Sequence, residues 1–213
     1  MAQSKSNNNE DYDFSSPQHF CDLVLVVENT KFFVHKCVLS MSSPVFEKML
    51  SSVGFLEKDA KQIDLPDKKR DEFHALLRVI YADVISQGKQ INEENYAFLL
   101  QLADEYQVSK VKYLCCKFLI SSVEDSNYLE IYKVAESYNL EDVMEKCAKV
   151  ASRKPCWVWE SSEEFVGLKT ENRMRVYAKR DRYFDETLKD KTFRQWKIHE
   201  EQKPASCSIR ESL

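Results

Sequence analysis

The sequence predicts an α+β fold, and three observations carry that prediction. Strand-type segments are confined to the first third of the chain, helical periodicity takes over after them, and one helical pair recurs at a fixed offset. The 213 residues, 43% apolar and 31% charged, suffice for one sizeable core with an appended helical segment.

Residues Met1 to about Pro17 are polar and rich in Ser and Asn. They offer little apolar surface to offset the entropy of ordering, so residues 1–19 are expected to form a flexible tail. From Asp22 to Val27 a β-branched, apolar run is followed by the turn-forming Glu28-Asn29-Thr30 and then by Phe32-Phe33-Val34, the pattern of a hairpin with mostly buried strands. Val38, Leu39 and Met41 mark a short helix. Ser43-Pro44 opens another, with Ser as N-cap, Pro at the first helical position, and Val45, Phe46, Met49 and Leu50 as its apolar stripe. Past the loop around Gly54, Ile63-Asp64-Leu65 reads as a third strand. Phe73 to Tyr81 reads as a helix with Phe73, Leu76, Leu77 and Ile80 inward, and Asn92 to Tyr106 as another.

The segment NYAFLLQLADEYQVSKVKYLCCKF from Asn95 returns as NYLEIYKVAESYNLEDVMEKCAKV from Asn127, 32 residues later. Ala103/Ala135, Tyr106/Tyr138, Val108/Leu140, Val111/Val143 and Cys115/Cys147 fall in register, so each copy reads as helix, short turn, helix with one inward face. Beyond Val150, Pro155 breaks the pattern, Ser161-Ser162-Glu163-Glu164 resembles a capping box, and Phe165 and Leu168 suggest a short docked helix. Asn172 to Glu201 is densely charged with irregular apolar insertions. It reads either as a solvated helix or as a partner-binding one, followed by a frayed end from Pro204.

Composition also excludes chemistry. With 31 basic against 35 acidic residues the net charge is -4, which gives no electrostatic footprint for a phosphate backbone or an anionic membrane. The longest aliphatic run, Leu23 to Val27, is far too short to span a bilayer. Three isolated glycines, Gly54, Gly88 and Gly167, cannot build a phosphate-cradling loop, so no nucleotide cofactor is expected. The seven cysteines show no C-x-x-C pair and no histidine at zinc spacing. They are expected to be free thiols of a reducing compartment, without bound metal. The nearest catalytic candidate, His35 between Cys21 and Cys37, alternates with apolar strand residues. A structural histidine is the expectation, with Asp22, at the other end of the hairpin, as its partner.

The run CDLVLVVENTKFFVHKCVLSMSSPVFEKML, from Cys21 to Leu50, resembles the opening of the BTB (POZ) domain. IDLPDKKRDEFHALLRVIYADVI matches that family's middle strand and helix, and LLQLADEYQVSKVKYLCCKFL its closing helix pair. The resemblance covers residues 20–121 and implies a small β-sheet flanked by helices, with Asp22 and His35 as polar residues of its core. The repeat from Asn127 is similar to the helical extension that follows this domain in cullin-3 adaptors, the 3-box at the start of the BACK domain. SSEEFVGL, Ser161 to Leu168, looks like a further BACK helix. The implied organisation is a BTB/POZ domain, an α-helical region over 122–170, and a charged helix and tail over 171–213. No kelch, MATH or zinc-finger pattern follows.

The resemblance implies a protein-interaction adaptor and not an enzyme; the polar N-terminus, without the apolar core of a secretory signal, and the short aliphatic runs lead to the expectation of the cytoplasm, the nucleus or both. The resemblance points to the substrate-recruiting subunit of a cullin-3 RING ubiquitin ligase, the alternative being a homo- or hetero-oligomerisation scaffold of transcriptional or cytoskeletal assemblies. Such adaptors carry a hydrophobic-x-Glu element before the middle strand, which Phe55-Leu56-Glu57 fits. An exposed Phe55 beside Glu57 makes a credible hot spot, unless the ring folds onto its own loop. Tyr128 and Tyr132 of the repeat join this cullin-binding set. Trp157, Trp159, Phe184 and Trp196 supply client anchors of the kind enriched in interfaces, although the same rings serve equally to pack the last helices. Family members often dimerise through a helix before the first strand, and Ser4 to Ser16 lacks its leucine periodicity. That leaves a homodimer through other surfaces.

Overall fold

The computed structural model describes residues 12–51, 57, 59–82 and 91–201, with side chains to residue 191. Two compact units divide between Ser122 and Val123. In the first, β1 (Leu23–Val27) and β2 (Thr30–Val34) pair antiparallel, in register from Leu23 opposite Val34 to Val27 opposite Thr30. Glu28 and Asn29 form the two-residue connection at φ 48° and 63°, the left-handed conformation that a type I′ turn needs to follow the strand twist. Asn tolerates that region. Glu28 also has a task there: its Oε2 accepts the Arg70 amide at 2.9 Å, capping the next major helix. Alternation places Leu23, Leu25, Val27, Phe32 and Val34 in the core.

α1 (Lys36–Ser42) and α2 (Pro44–Ser51) follow. Ser43 starts α2 as the sequence implies, since its Oγ accepts the Phe46 amide at 3.0 Å and donates to the Tyr106 carbonyl at 2.5 Å. β3 (Gln62–Asp64) then returns parallel to β1, giving the order β2-β1-β3 among the described residues. The helical crossover is what permits a parallel partner. α3 (Arg70–Tyr81) buries Phe73, Leu76, Leu77, Val79 and Ile80. At its far end the Lys110 ammonium donates to the carbonyls of Ile80 and Ala82, at 3.2 and 2.9 Å, a cation on the negative end of the helix.

The repeat is reproduced down to single hydrogen bonds. α4 (Tyr96–Glu105) and α5 (Ser109–Ser122) belong to the first unit, α6 (Tyr128–Ser137) and α7 (Glu141–Ser152) to the second. Asn95 Oδ1 accepts the Asn92 amide at 2.8 Å, and Asn127 Oδ1 accepts that of Glu124 at the same distance. Both first helices end in the same device: Val108 N–H bonds the Ala103 carbonyl and Leu140 N–H the Ala135 carbonyl, each at 2.8 Å. This is a Schellman closure. Val111, Cys115, Val143 and Cys147 are all fully buried.

The second unit continues with a 3-10 turn (Cys156–Val158), α8 (Glu163–Val166) and α9 (Thr170–Glu201). Ser162 caps α8 through the Phe165 amide. α9 packs along α7 through buried Val176 and the pairs Arg175–Glu141 and Lys179–Glu145. The Glu136 carboxylate accepts the Lys169 amide at 2.8 Å and the Asn172 side chain at 2.5 Å, fixing where α9 begins. From Asp181 to Lys191 every residue except the half-buried Thr187 is exposed.

One expectation fails at the N-terminus. Within the stretch read as a tail, Phe14 is only 2% exposed, its carbonyl accepts the Phe33 amide at 2.9 Å, and Tyr12 lies on Tyr81 at 4.8 Å between ring centroids. Two aromatic side chains in a polar run suffice. Burying one such ring is worth about 1.5–3 kcal/mol, enough to offset the ordering of one or two backbone residues at about 1–2 kcal/mol each.

Candidate interaction surfaces

His35 sits half-buried at the end of β2. Its backbone N–H donates to the Tyr81 hydroxyl at 2.8 Å, and its Nδ1 lies 3.2 Å from the same oxygen. Nε2 faces the His19 carbonyl at 3.0 Å and Cys21 Sγ at 3.8 Å. A carbonyl only accepts, so Nε2 carries the hydrogen and Nδ1 accepts from Tyr81. In that tautomer Nε2 cannot serve Cys21 as a base, and the pair is not arranged as an activated thiol. The expected Asp22 partnership is corrected as well. Asp22 is exposed and its Oδ1 accepts the Lys36 amide at 2.7 Å, capping α1. Neither residue is a core polar group, because a hairpin end leaves the carboxylate facing the helix start that needs it. Burial above all pushes the Tyr81 hydroxyl up to about 12.

Of the residues expected to meet a cullin, Phe55 lies outside the described residues. Glu57 is half-buried, and its carbonyl accepts the Ala60 amide at 3.2 Å. Tyr128 is 5% exposed and Tyr132 not at all. Both rings are inward positions of α6, at the repeat partners of Tyr96 and Leu100, so neither side chain presents itself as a contact residue. The outward face of α6 carries Glu130, Lys133 and Ser137.

The client anchors separate in the same way. Trp157 is 71% exposed, whereas Trp159, two residues on, is fully buried. Its indole N–H donates to the Ala151 carbonyl at 3.1 Å, and its ring packs on Phe165 and Tyr177 at 4.5 and 5.3 Å. With about three residues per turn, the 3-10 backbone sends side chains two positions apart to different sides. Phe184 is partly exposed beneath the Arg180 guanidinium, 4.8 Å away, and edge-on to Tyr183. The Trp196 side chain lies outside the described ones.

A feature that sequence reasoning missed is a groove of about 540 Å³ between the N-terminal arm, β2 and α3. Its floor is Phe32 stacked on His74 at 5.8 Å, with Phe14 edge-on to the same imidazole. Nothing in the local sequence signals it, because the arm, the strand and the helix are far apart along the chain. Among the described residues no group of three or more His, Cys, Asp or Glu side chains could hold a metal ion. No helix among them is long and apolar enough to cross a membrane.

The family model for the BTB/POZ domain matches residues 12–123, more than half of the chain. This chain belongs to the BTB/POZ family. The match begins at the docked arm, not at the first strand. Among curated proteins, BTB and MATH domain-containing protein 38 of Caenorhabditis elegans is 36% identical over 141 residues, 65% of this chain and 34% of that protein. Kelch-like protein 7 of Homo sapiens is 34% identical over 116 residues, 54% of this chain and 19% of that protein. The BTB/POZ chain thus spans about a third and about a fifth of these relatives. The BTB (Tramtrack and Bric a brac) domain of human Gigaxonin, a solved structure, aligns at 25% identity with a TM-score of 0.39, over 47% of this chain and 79% of that one. Family membership makes the chain a protein-interaction module.

Proposed function

We propose that this chain is an adaptor that recruits client proteins to a cullin-3 RING ubiquitin ligase in the cytoplasm or nucleus. The observation that carries the reading is the α6–α7 hairpin, which repeats the inward positions and the helix-end hydrogen bonds of α4–α5 just after the BTB/POZ fold and resembles the 3-box of such adaptors. Similarity to a Kelch-like protein supports it. The adaptor acts by raising the effective concentration of client lysines beside the charged ubiquitin enzyme. Phe55 and Glu57 are assigned to the cullin; within α6, the outward Glu130 and Lys133 replace the buried tyrosines as candidate contacts. Trp157 and Phe184 are assigned to the client.

The test is co-precipitation of cullin-3 with the full chain, alongside light-scattering mass. Retention that falls at least about tenfold with Phe55→Ala combined with Glu57→Lys supports the reading. An unmodified chain that elutes as a dimer without retaining cullin-3 overturns it in favour of a homo-oligomeric scaffold.

A further inference from the structure

We infer that the open part of the β2 edge, with the groove beside it, is a docking site for an extended acidic peptide from a partner protein. This does not rest on the cullin-3 reading. β2 is an edge strand among the described residues. Its register with β1 turns the peptide groups of Lys31 and Phe33 outward. The arm shows that this edge takes a backbone partner, because the Phe14 carbonyl accepts the Phe33 amide.

Past Phe14 the arm leaves the edge. Asp13 accepts the Ser15 amide at 2.9 Å and the Ser16 hydroxyl at 2.8 Å, folding the chain back so that Cys21 lies against Tyr12. Among the described residues, nothing continues along β2 to Lys31. A strand added there would gain the Lys31 N–H and carbonyl as partners, the β-augmentation mode of peptide recognition.

The groove sets what the added strand must carry. Its volume lies within the range of ligand sites, and the Phe32–His74 floor suits an apolar or aromatic side chain. Lys31, Arg70, His74 and Arg78 line it against Asp13 and Asp71. Asp71 and the Arg70 guanidinium form an ion pair at 2.8 Å, and Asp13 is held by the two serines. Lys31, Arg70 and Arg78 exceed the two aspartates by one positive charge on a chain whose overall charge is negative, so the complementary ligand is acidic.

The experiment selects heptapeptides from an unbiased phage-displayed library on the immobilised full chain and measures the synthesised, labelled winners by fluorescence anisotropy. The inference expects sequences rich in Asp and Glu, weakened at least about tenfold by Arg70→Glu and by Lys31→Glu. It also expects slowed hydrogen exchange at the Lys31 amide. Lys117→Glu, on the exposed face of α5, leaves binding unchanged, and circular dichroism confirms that each variant is folded. Recovery of no binder, recovery of neutral or basic peptides, or binding that survives both groove substitutions overturns it. So does a rise of about tenfold or more on removing residues 1–11, which would make that segment, with Glu10 and Asp11, the occupant.

Discussion

Gln107 and Asn139 stand 32 residues apart and hold the same left-handed backbone conformation, at φ 53° and 52°. Each is the residue after a helix end, and each sends its amide to the carbonyl three residues back, Asp104 and Glu136, at 3.3 Å. Asn adopts this region readily and Gln does not. Gln107→Gly is therefore expected to stabilise the first unit by about 0.5–1 kcal/mol, the relieved strain exceeding the added unfolded-state entropy. Asn139→Gly should change stability by a few tenths at most. Urea midpoints read the difference, and a destabilised Gln107→Gly would contradict the strain.

Tyr132 is fully buried, and among the described residues its hydroxyl has no hydrogen-bond partner. Its repeat counterpart, Leu100, is apolar and equally buried. Tyr132→Phe should be neutral or stabilising, by up to about 1–2 kcal/mol, because it removes a desolvated polar group while keeping the ring. A loss above about 1 kcal/mol in urea unfolding would mean that the hydroxyl is hydrogen-bonded, for instance to a buried water.

Trp157 and Trp159 should respond oppositely to truncation. Trp159→Ala removes a buried ring from Phe165 and Tyr177 and is expected to cost about 3–5 kcal/mol. Trp157→Ala should cost under about 0.5 kcal/mol while weakening capture of a client. Thermal melts of the pair decide whether their exposures carry through to energy.

Burial raises the thiols of Cys115 and Cys147 to about 12. Both groups hold their proton more tightly folded than unfolded, so their contribution is complete below the ordinary thiol range, near pH 9, and is lost as pH rises toward 12. In that window each thiol should lower stability by up to about 1.4 kcal/mol per pH unit. Denaturant midpoints between pH 8 and pH 11 check the slope, with Cys147→Ala flattening it in the second unit.

Local patterns carried most of the fold. The hairpin, the Ser43-Pro44 helix start and the 32-residue repeat each rest on a few neighbouring residues, so periodicity and cap chemistry exposed them. The site was less legible because its decisive facts are spatial. Asp22 was paired with His35 by proximity along the hairpin, yet it caps α1, while His35 bonds Tyr81 from 46 residues away. Tyr128, Tyr132 and Trp159 looked like anchors because aromatic residues serve cores and interfaces alike, and sequence gives no sign of which face is covered. Tyr12 and Phe14 stand in a polar run whose average hydropathy hides one buried and one half-buried ring.

Helix α3 is closed at its start by the Glu28 carboxylate and at its end by the Lys110 ammonium, each borrowed from a different element. Neither end can fray without also releasing the hairpin turn or the start of α5. The helix and its neighbours are therefore bound into one cooperative block, whose amides exchange with solvent through collective opening of the domain and not turn by turn.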